Sequence, residues 1–93
     1  NLSNACLEGA SLKNASLESA NFNGAILSQA DLTQASLTSA NLKNSNIERA
    51  TLNGANLTSA NLVAANCSQA SLIKVNFSSA NLTSSNLERA NLN

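Results

Sequence analysis

Every fifth residue of the chain is apolar, from Leu2 to Leu92, and mostly polar residues lie between them. From Leu7 onward, the residue two places before each of these central residues is Ala, except at Ser45, Val75 and Ser85. No residue is inserted or lost across nineteen units, so the repeat covers the whole chain. We expect the central residues to form the core: Leu2, Leu7, Leu12, Leu17, Phe22, Leu27, Leu32, Leu37, Leu42, Ile47, Leu52, Leu57, Leu62, Cys67, Leu72, Phe77, Leu82, Leu87 and Leu92.

A period of five fits neither a straight helix nor a straight strand. Residues five apart point about 140° apart around an α-helix, and they point to opposite sides of a β-strand. The pattern fits a short extended piece in which the small residue and the central residue face the same way. The chain must then bend before the next unit, which the intervening Asn, Ser, Gly and Gln residues permit. The sequence therefore predicts a chain that coils around its own Leu column.

A longer sequence motif indicates the number of units in each coil. Ser-Ala-Asn followed by Leu or Phe recurs every twenty residues, at 19–22, 39–42, 59–62 and 79–82. Four units per coil predict a square cross-section, with coils stacked roughly 4.7–4.9 Å apart. We expect the resulting Asn and Ser columns to hydrogen-bond between coils: Asn1, Asn21, Asn41, Asn61 and Asn81, and Ser19, Ser39, Ser59 and Ser79.

The Ala-Asn/Asp-Leu-x-x units resemble those of the pentapeptide-repeat family along the whole chain. The resemblance implies an all-β fold, a right-handed quadrilateral β-helix with four full coils and part of a fifth. It also implies that residues 1–93 form a single solenoid domain with the Ala and central residues inward. Cys67, Val75, Ser45 and Ser85 depart from the family pattern, and we expect the two Ser hydroxyls to bond to the backbone.

Composition narrows the function classes. Five acidic and five basic residues balance, and no basic stripe suited to nucleic acid is present. No apolar run is long enough for a transmembrane helix, and no signal peptide is visible, which favours a cytoplasmic location. The chain begins and ends in repeat register without a predicted capping helix. This suggests either a piece or mature form of a longer protein, or end-to-end self-association.

No catalytic, metal or cofactor site is predicted, because the chain has no His and no paired carboxylates. Cys6 should face outward and Cys67 inward. They lie three coils apart, roughly 14 Å along the axis, too far for a disulfide. Gly9, Gly24 and Gly54 occupy the last position of a unit, where we expect turns with positive φ.

One group of charged residues has two interpretations. The sequence motif at 45–50 recurs at 85–90, two coils later. Each copy contains an adjacent Glu and Arg. These residues form a candidate interaction face, or they reflect duplication of a two-coil block with ordinary solubilising charge. The residues are Glu8, Glu48, Arg49, Glu88 and Arg89.

The sequence predicts a non-enzymatic structural or protein-interaction module whose protein partner is unknown. The family resemblance adds an alternative, since some members mimic DNA and bind DNA gyrase; such mimicry needs a strongly acidic surface, which this neutral chain lacks. A third hypothesis is binding of ordered water or ice by the Ser19 column beside Thr38 and Thr58. The resemblance also makes a cyanobacterial source plausible.

Overall fold

The chain is a square coil in which residues twenty apart pair in parallel. The computed structural model describes all residues, Asn1–Asn93, and contains single-residue bridges in place of helices or longer strands. The bridged residue is always the one before the central residue. Four ladders result. Ladder 1 joins Cys6, Ile26, Asn46, Asn66 and Asn86; ladder 2 joins Ser11, Asp31, Thr51, Ser71 and Asn91; ladder 3 joins Ser16, Ser36, Asn56 and Asn76; ladder 4 joins Asn21, Asn41, Asn61 and Asn81.

A tight turn forms each corner between ladders. The N–H of the small residue donates to the C=O of the central residue three positions earlier, as in Ala40 to Leu37 at 2.9 Å. The second residue inside the turn has φ between 58° and 72° at every corner. A β-turn in which the second central residue has a positive φ, and the first does not, is a type II turn.

The expectation of positive φ at Gly9, Gly24 and Gly54 is confirmed, but it was incomplete. Fifteen non-glycine residues adopt the same conformation, including Gln34, Arg49 and Ala64. The unbroken period demands the same turn at each corner, so the geometry of the coil overrides the preference of the individual residue.

The backbone N–H groups of the middle coils are paired according to a rule that repeats from unit to unit. In unit 41–45, the N–H groups of Asn41, Leu42 and Asn44 donate to C=O groups of the adjacent coils. The N–H of Ser45 closes the turn onto Leu42 at 3.1 Å. Only Lys43 then lacks a backbone partner, and its N–H donates to Oδ1 of Asn41 at 3.1 Å.

The Asn residues before the central positions therefore cap their own turns. The Asn and Ser columns were expected to hydrogen-bond between coils, and they do so at one place only. One such bond is present, from Nδ2 of Asn41 to Oδ1 of Asn21 at 3.4 Å, and the hydroxyls of the Ser19 column do not bond to one another. An Asn oxygen reaches an N–H two residues ahead with the geometry of an Asx turn, and this local bond satisfies a donor that the ladders cannot.

The core is the stack of central residues with the small residues beside them. All central residues from Phe22 to Leu72 are buried. Those from Leu2 to Leu17 and from Phe77 to Leu87 are partly buried, because the first and last coils have a neighbour on one side only. Leu92, expected in the core, is 55% exposed for the same reason.

The hydroxyls at the two inward Ser positions bond as expected. Oγ of Ser45, which is 2% exposed, donates to the C=O of Leu42 at 2.7 Å, and Ser85 makes the equivalent bond to Leu82. The structure contains no helix of the length and apolar character needed to span a membrane.

Candidate interaction surface

The five predicted interface residues lie along one corner of the square. This corner, which we call corner 1, consists of the turn residues that follow ladder 1, taken in pairs from each coil. The pairs are Glu8–Gly9, Ser28–Gln29, Glu48–Arg49, Ser68–Gln69 and Glu88–Arg89. Because the residues belong to turns, the predicted face is an edge of the prism and not a flat side.

The charges of corner 1 repeat every second coil. With coils one strand spacing apart, Glu8, Glu48 and Glu88 follow one another at roughly 9–10 Å along the axis. Ser28 and Ser68 occupy the same position in the coils between them. The corner therefore presents carboxylates in a regular column, and the column beside it carries Arg49 and Arg89.

Arg49 is the best-anchored side chain of the corner. Its Nε lies 3.8 Å from Oε1 of Glu48 and donates a hydrogen bond to Oε1 of Gln69, in the next coil, at 3.4 Å. The Arg49 side chain is nevertheless 58% exposed. An exposed pair of this kind contributes about 0–1 kcal/mol to stability, so its charges remain available for a partner.

The other corners differ from corner 1 in charge. Half of the ten charged residues lie on corner 1, and the remainder are scattered: Lys13, Glu18, Asp31, Lys43 and Lys74. The corner that follows ladder 3 carries mostly hydroxyls, with Thr38, Ser39, Thr58 and Ser59 among them. Corner 1 is thus the one corner where both signs of charge recur in register.

Asp31 carries out a structural task on ladder 2. Its Oδ1 accepts bonds from the hydroxyl of Thr33 at 2.6 Å and from the Thr33 N–H at 3.0 Å. These bonds, with a smaller contribution from the charge of Lys13, hold the pKa of the carboxyl below its ordinary value. The same pair of bonds joins Asn56 to Thr58, so this carboxylate substitutes for an amide in the capping role.

The two cysteines are free and lie in different environments. Cys6 is exposed on ladder 1, and Cys67 is buried at a central position. Burial raises the pKa of the Cys67 thiol to about 11, which keeps it protonated near neutral pH. The structure has no cavity and no cluster of three or more His, Cys, Asp or Glu side chains suited to a metal.

Sequence reasoning missed a bond between coils. Asn53, interpreted from the sequence only as part of a turn, extends its Oδ1 into the next coil. There it accepts bonds from the Ser71 hydroxyl at 2.7 Å and from the Ile73 N–H at 3.1 Å. Ser71 occupies the position at which Asn usually caps the turn, and the missing amide there, eighteen residues after Asn53, was the available signal.

The family model for pentapeptide repeats matches the chain in eight copies, over residues 1–34, 35–66 and 60–93. No sequence among the curated proteins matches the chain. A pentapeptide repeat protein, Rfr23, from the cyanobacterium Cyanothece 51142 is similar in structure with a TM-score of 0.89 and 32% identity; the match covers 90% of this chain and 58% of that one.

Two further solved structures support the same fold. A pentapeptide repeat protein from the Arabidopsis thaliana thylakoid lumen has a TM-score of 0.77 and 33% identity over 91% of this chain and 63% of its own. HetL from Nostoc sp. strain PCC 7120, involved in heterocyst differentiation regulation, has a TM-score of 0.54 and 35% identity over 97% and 46%. The chain thus spans less than two thirds of these proteins.

These proteins share the repeat and the square coil described above, which establishes the fold as a right-handed quadrilateral β-helix. The family model accounts for the chain from its first residue to its last. The chain belongs to the pentapeptide-repeat family.

Proposed function

We propose that the chain is a non-catalytic protein-interaction module that binds a protein partner through corner 1. The observation that carries this proposal is the concentration of half of the charged residues on one edge, in an order that repeats from coil to coil. Charges arranged in a fixed pattern select a partner by complementarity more than they add affinity.

The rigidity of the coil supports the proposal. Sixty-one backbone hydrogen bonds hold 93 residues, and the turn N–H groups beside the corner are capped by side chains such as Asn46 and Asn86. Binding at such an edge orders few backbone torsions, so little free energy is lost to ordering when a partner docks.

The charge pattern favours a protein partner over DNA mimicry of the kind that gyrase would recognise. A DNA mimic needs a continuous array of negative charge, whereas corner 1 sets Arg49 and Arg89 beside its carboxylates. QnrB1, a plasmid-mediated fluoroquinolone resistance protein, is similar at 20% identity with a TM-score of 0.60, and this likeness concerns the fold alone. Stoichiometric inhibition of gyrase supercoiling by the purified chain would reverse this preference.

The test of the proposed function compares two neutralised variants with the wild type in affinity capture from a lysate of the source organism. The corner variant removes two acids and two bases: Glu48→Gln, Arg49→Gln, Glu88→Gln and Arg89→Gln. The control removes the same number elsewhere: Lys13→Gln, Glu18→Gln, Asp31→Asn and Lys43→Gln. We expect the wild type and the control to retain the same protein, and the corner variant to lose it. Retention of that protein by all three chains would refute corner 1 as the surface that binds it.

A further inference from the structure

The two columns of corner 1 differ in chemistry in a consistent way. The first residue of each charged pair is Glu, and its neighbour in the turn is Arg at Glu48–Arg49 and Glu88–Arg89. In the pairs between them, the first residue is Ser and the second is Gln. The first column therefore presents carboxylates and hydroxyls, and the second presents guanidinium and amide groups.

This asymmetry makes the corner complementary to itself in one orientation. A two-fold axis parallel to the axis of the coil places the first column of one copy opposite the second column of the other, at the same height. Glu48 then faces Arg49 of the second copy, and Glu88 faces Arg89. The Ser and Gln residues of the neutral rows also face each other, and Glu8 faces Gly9, where no side chain opposes it. A two-fold contact of this kind is self-complementary by construction.

The opposite orientation is disfavoured by charge. An axis perpendicular to the coil would place each column opposite itself, with Glu facing Glu and Arg facing Arg where charged rows meet. Like charges in direct opposition are repulsive, and their desolvation adds to the cost. The pattern thus distinguishes parallel from antiparallel association of two coils.

We propose that the partner of corner 1 is a second copy of this chain, docked side by side with the two coils parallel. The inference rests on the proposed function, because it names the partner of that same surface. Contact along an edge buries less than the ~1,200–2,000 Å² of a stable interface. The association is therefore weak and reversible, and it weakens as salt screens the charges.

The test uses two variants in which the pairs at 48–49 and 88–89 carry charge of one sign only. The all-Arg variant has Glu48→Arg and Glu88→Arg, and the all-Glu variant has Arg49→Glu and Arg89→Glu. Sedimentation velocity at low salt measures each alone and both mixed. We expect each variant alone to associate at least about tenfold more weakly than the wild type, and the mixture to form a heterodimer. Monomers in the mixture and in concentrated wild type would overturn the proposal.

Cross-linking determines the orientation. In a Cys6→Ser background, chains with Ser68→Cys are mixed with chains carrying Gln69→Cys, and separately with chains carrying Ser28→Cys. Parallel docking predicts a disulfide between positions 68 and 69 of different copies. A dominant 28–68 disulfide instead requires antiparallel docking and would overturn the proposed arrangement.

The two proposals fail in distinguishable ways. If the wild type stays monomeric, and the corner variant loses a protein that the wild type captures, the proposed self-association is wrong and corner 1 remains the binding surface. If the charge variants pair with each other but every captured protein survives neutralisation of corner 1, the second copy is the partner and a foreign partner at this corner is excluded.

Discussion

At the scale of single residues, the structure depends on one amide oxygen in most units. The residue before the central position is often Asn, and its Oδ1 accepts the only turn N–H that the ladders leave unpaired, as at Asn61 and Asn66. A buried or half-buried donor without a partner costs about 1–3 kcal/mol, which explains the selection of Asn or Asp over other polar residues. Asn53 shows that the same N–H can be satisfied from the coil below.

Replacing Asn53 tests this account. Asn53→Ala removes the bonds to Ser71 and to the Ile73 N–H, and we expect the free energy of unfolding to fall by about 1–2 kcal/mol in urea titration. Adding Ser71→Asn to that variant gives the Ile73 N–H the usual cap within its own turn. We expect it to restore most of the lost stability. Equal destabilisation of the single and double variants would show that the bond to the Ile73 N–H contributes nothing.

Asp31 predicts a dependence of stability on pH. The pKa of this carboxyl is lowered from 3.8, mainly by the bonds from Thr33. The folded state therefore favours the ionised form; the resulting stability is present above about pH 4 and is lost as the pH falls through the folded pKa. In Asp31→Asn the acceptor remains, as at Asn81, where Oδ1 accepts the Thr83 hydroxyl. Thermal melts at about pH 7 and pH 2 should show a smaller loss of Tm for Asp31→Asn than for the wild type. A loss of the same size in both would contradict this role.

At the scale of the elements, the corners carry conformational strain. Every corner places its second turn residue at positive φ, and most of these residues are not glycine. A left-handed conformation costs a residue with a Cβ roughly 1–2 kcal/mol, less for Asn, whose short side chain tolerates it. The ladders and the core hold these residues at positive φ. The strain therefore lowers the stability of the fold, and substitutions at the corners can relieve it.

Ala64 offers a direct measurement of that strain. It is exposed, has φ of 58°, and lacks the polar side chain that eases the left-handed region. We expect Ala64→Asn to increase the free energy of unfolding by about 0.5–1 kcal/mol, because Asn occupies the equivalent position at Asn44 and tolerates positive φ.

The neighbouring residue provides the control. Ala65 is 1% exposed and faces the core, so Ala65→Asn buries an amide without a partner and should destabilise the chain by at least about 1–3 kcal/mol. A destabilising effect of Ala64→Asn would contradict this account. It would show that contacts of the side chain, and not the backbone conformation, determine how this corner contributes to the free energy of unfolding.

At the scale of the whole molecule, stability grows coil by coil. Contacts are made between adjacent coils, so a residue is buried only when a coil lies on each side of it. This accounts for the contrast between the fully buried central residues of the middle coils and the half-buried residues at both ends.

Equivalent Leu residues in two coils should differ in their contribution. Leu52 is 1% exposed in the third coil, and Leu12, in the same column, is only partly buried in the first. We expect Leu52→Ala to reduce the free energy of unfolding by about 3–5 kcal/mol and Leu12→Ala by about 1–2 kcal/mol. Urea titration with hydrogen exchange separates global loss from local opening of the first coil. Equal losses would mean that the solenoid unfolds as a unit in which the end coil is as constrained as the middle.

Much of this molecule was predictable because its repeat is strict. The spacing of Leu42, Leu62 and their equivalents indicates the coil length and the inward residues, and the Ser-Ala-Asn phrase indicates twenty residues per coil. The candidate surface was predictable as a set of residues, since the fixed period brings positions twenty apart together. Its place on an edge was not, because the glycines indicated a turn only at the last position of a unit and did not show that the residue before it, such as Glu48, belongs to the same turn.

The sequence by itself determined the period, the core and the register, since insertion of a single residue would displace every later Leu from the interior. The tertiary structure alone decided how the remaining backbone donors are satisfied, and it showed that fifteen non-glycine residues adopt the positive φ that the sequence indicated only for the glycines. Those outcomes depend on what each N–H meets in the coil above or below. The Ile73 N–H, for example, is not capped within its own turn, where Ser71 precedes the central residue, and Asn53 in the adjacent coil accepts its bond instead, a relation that only the stacked coils create.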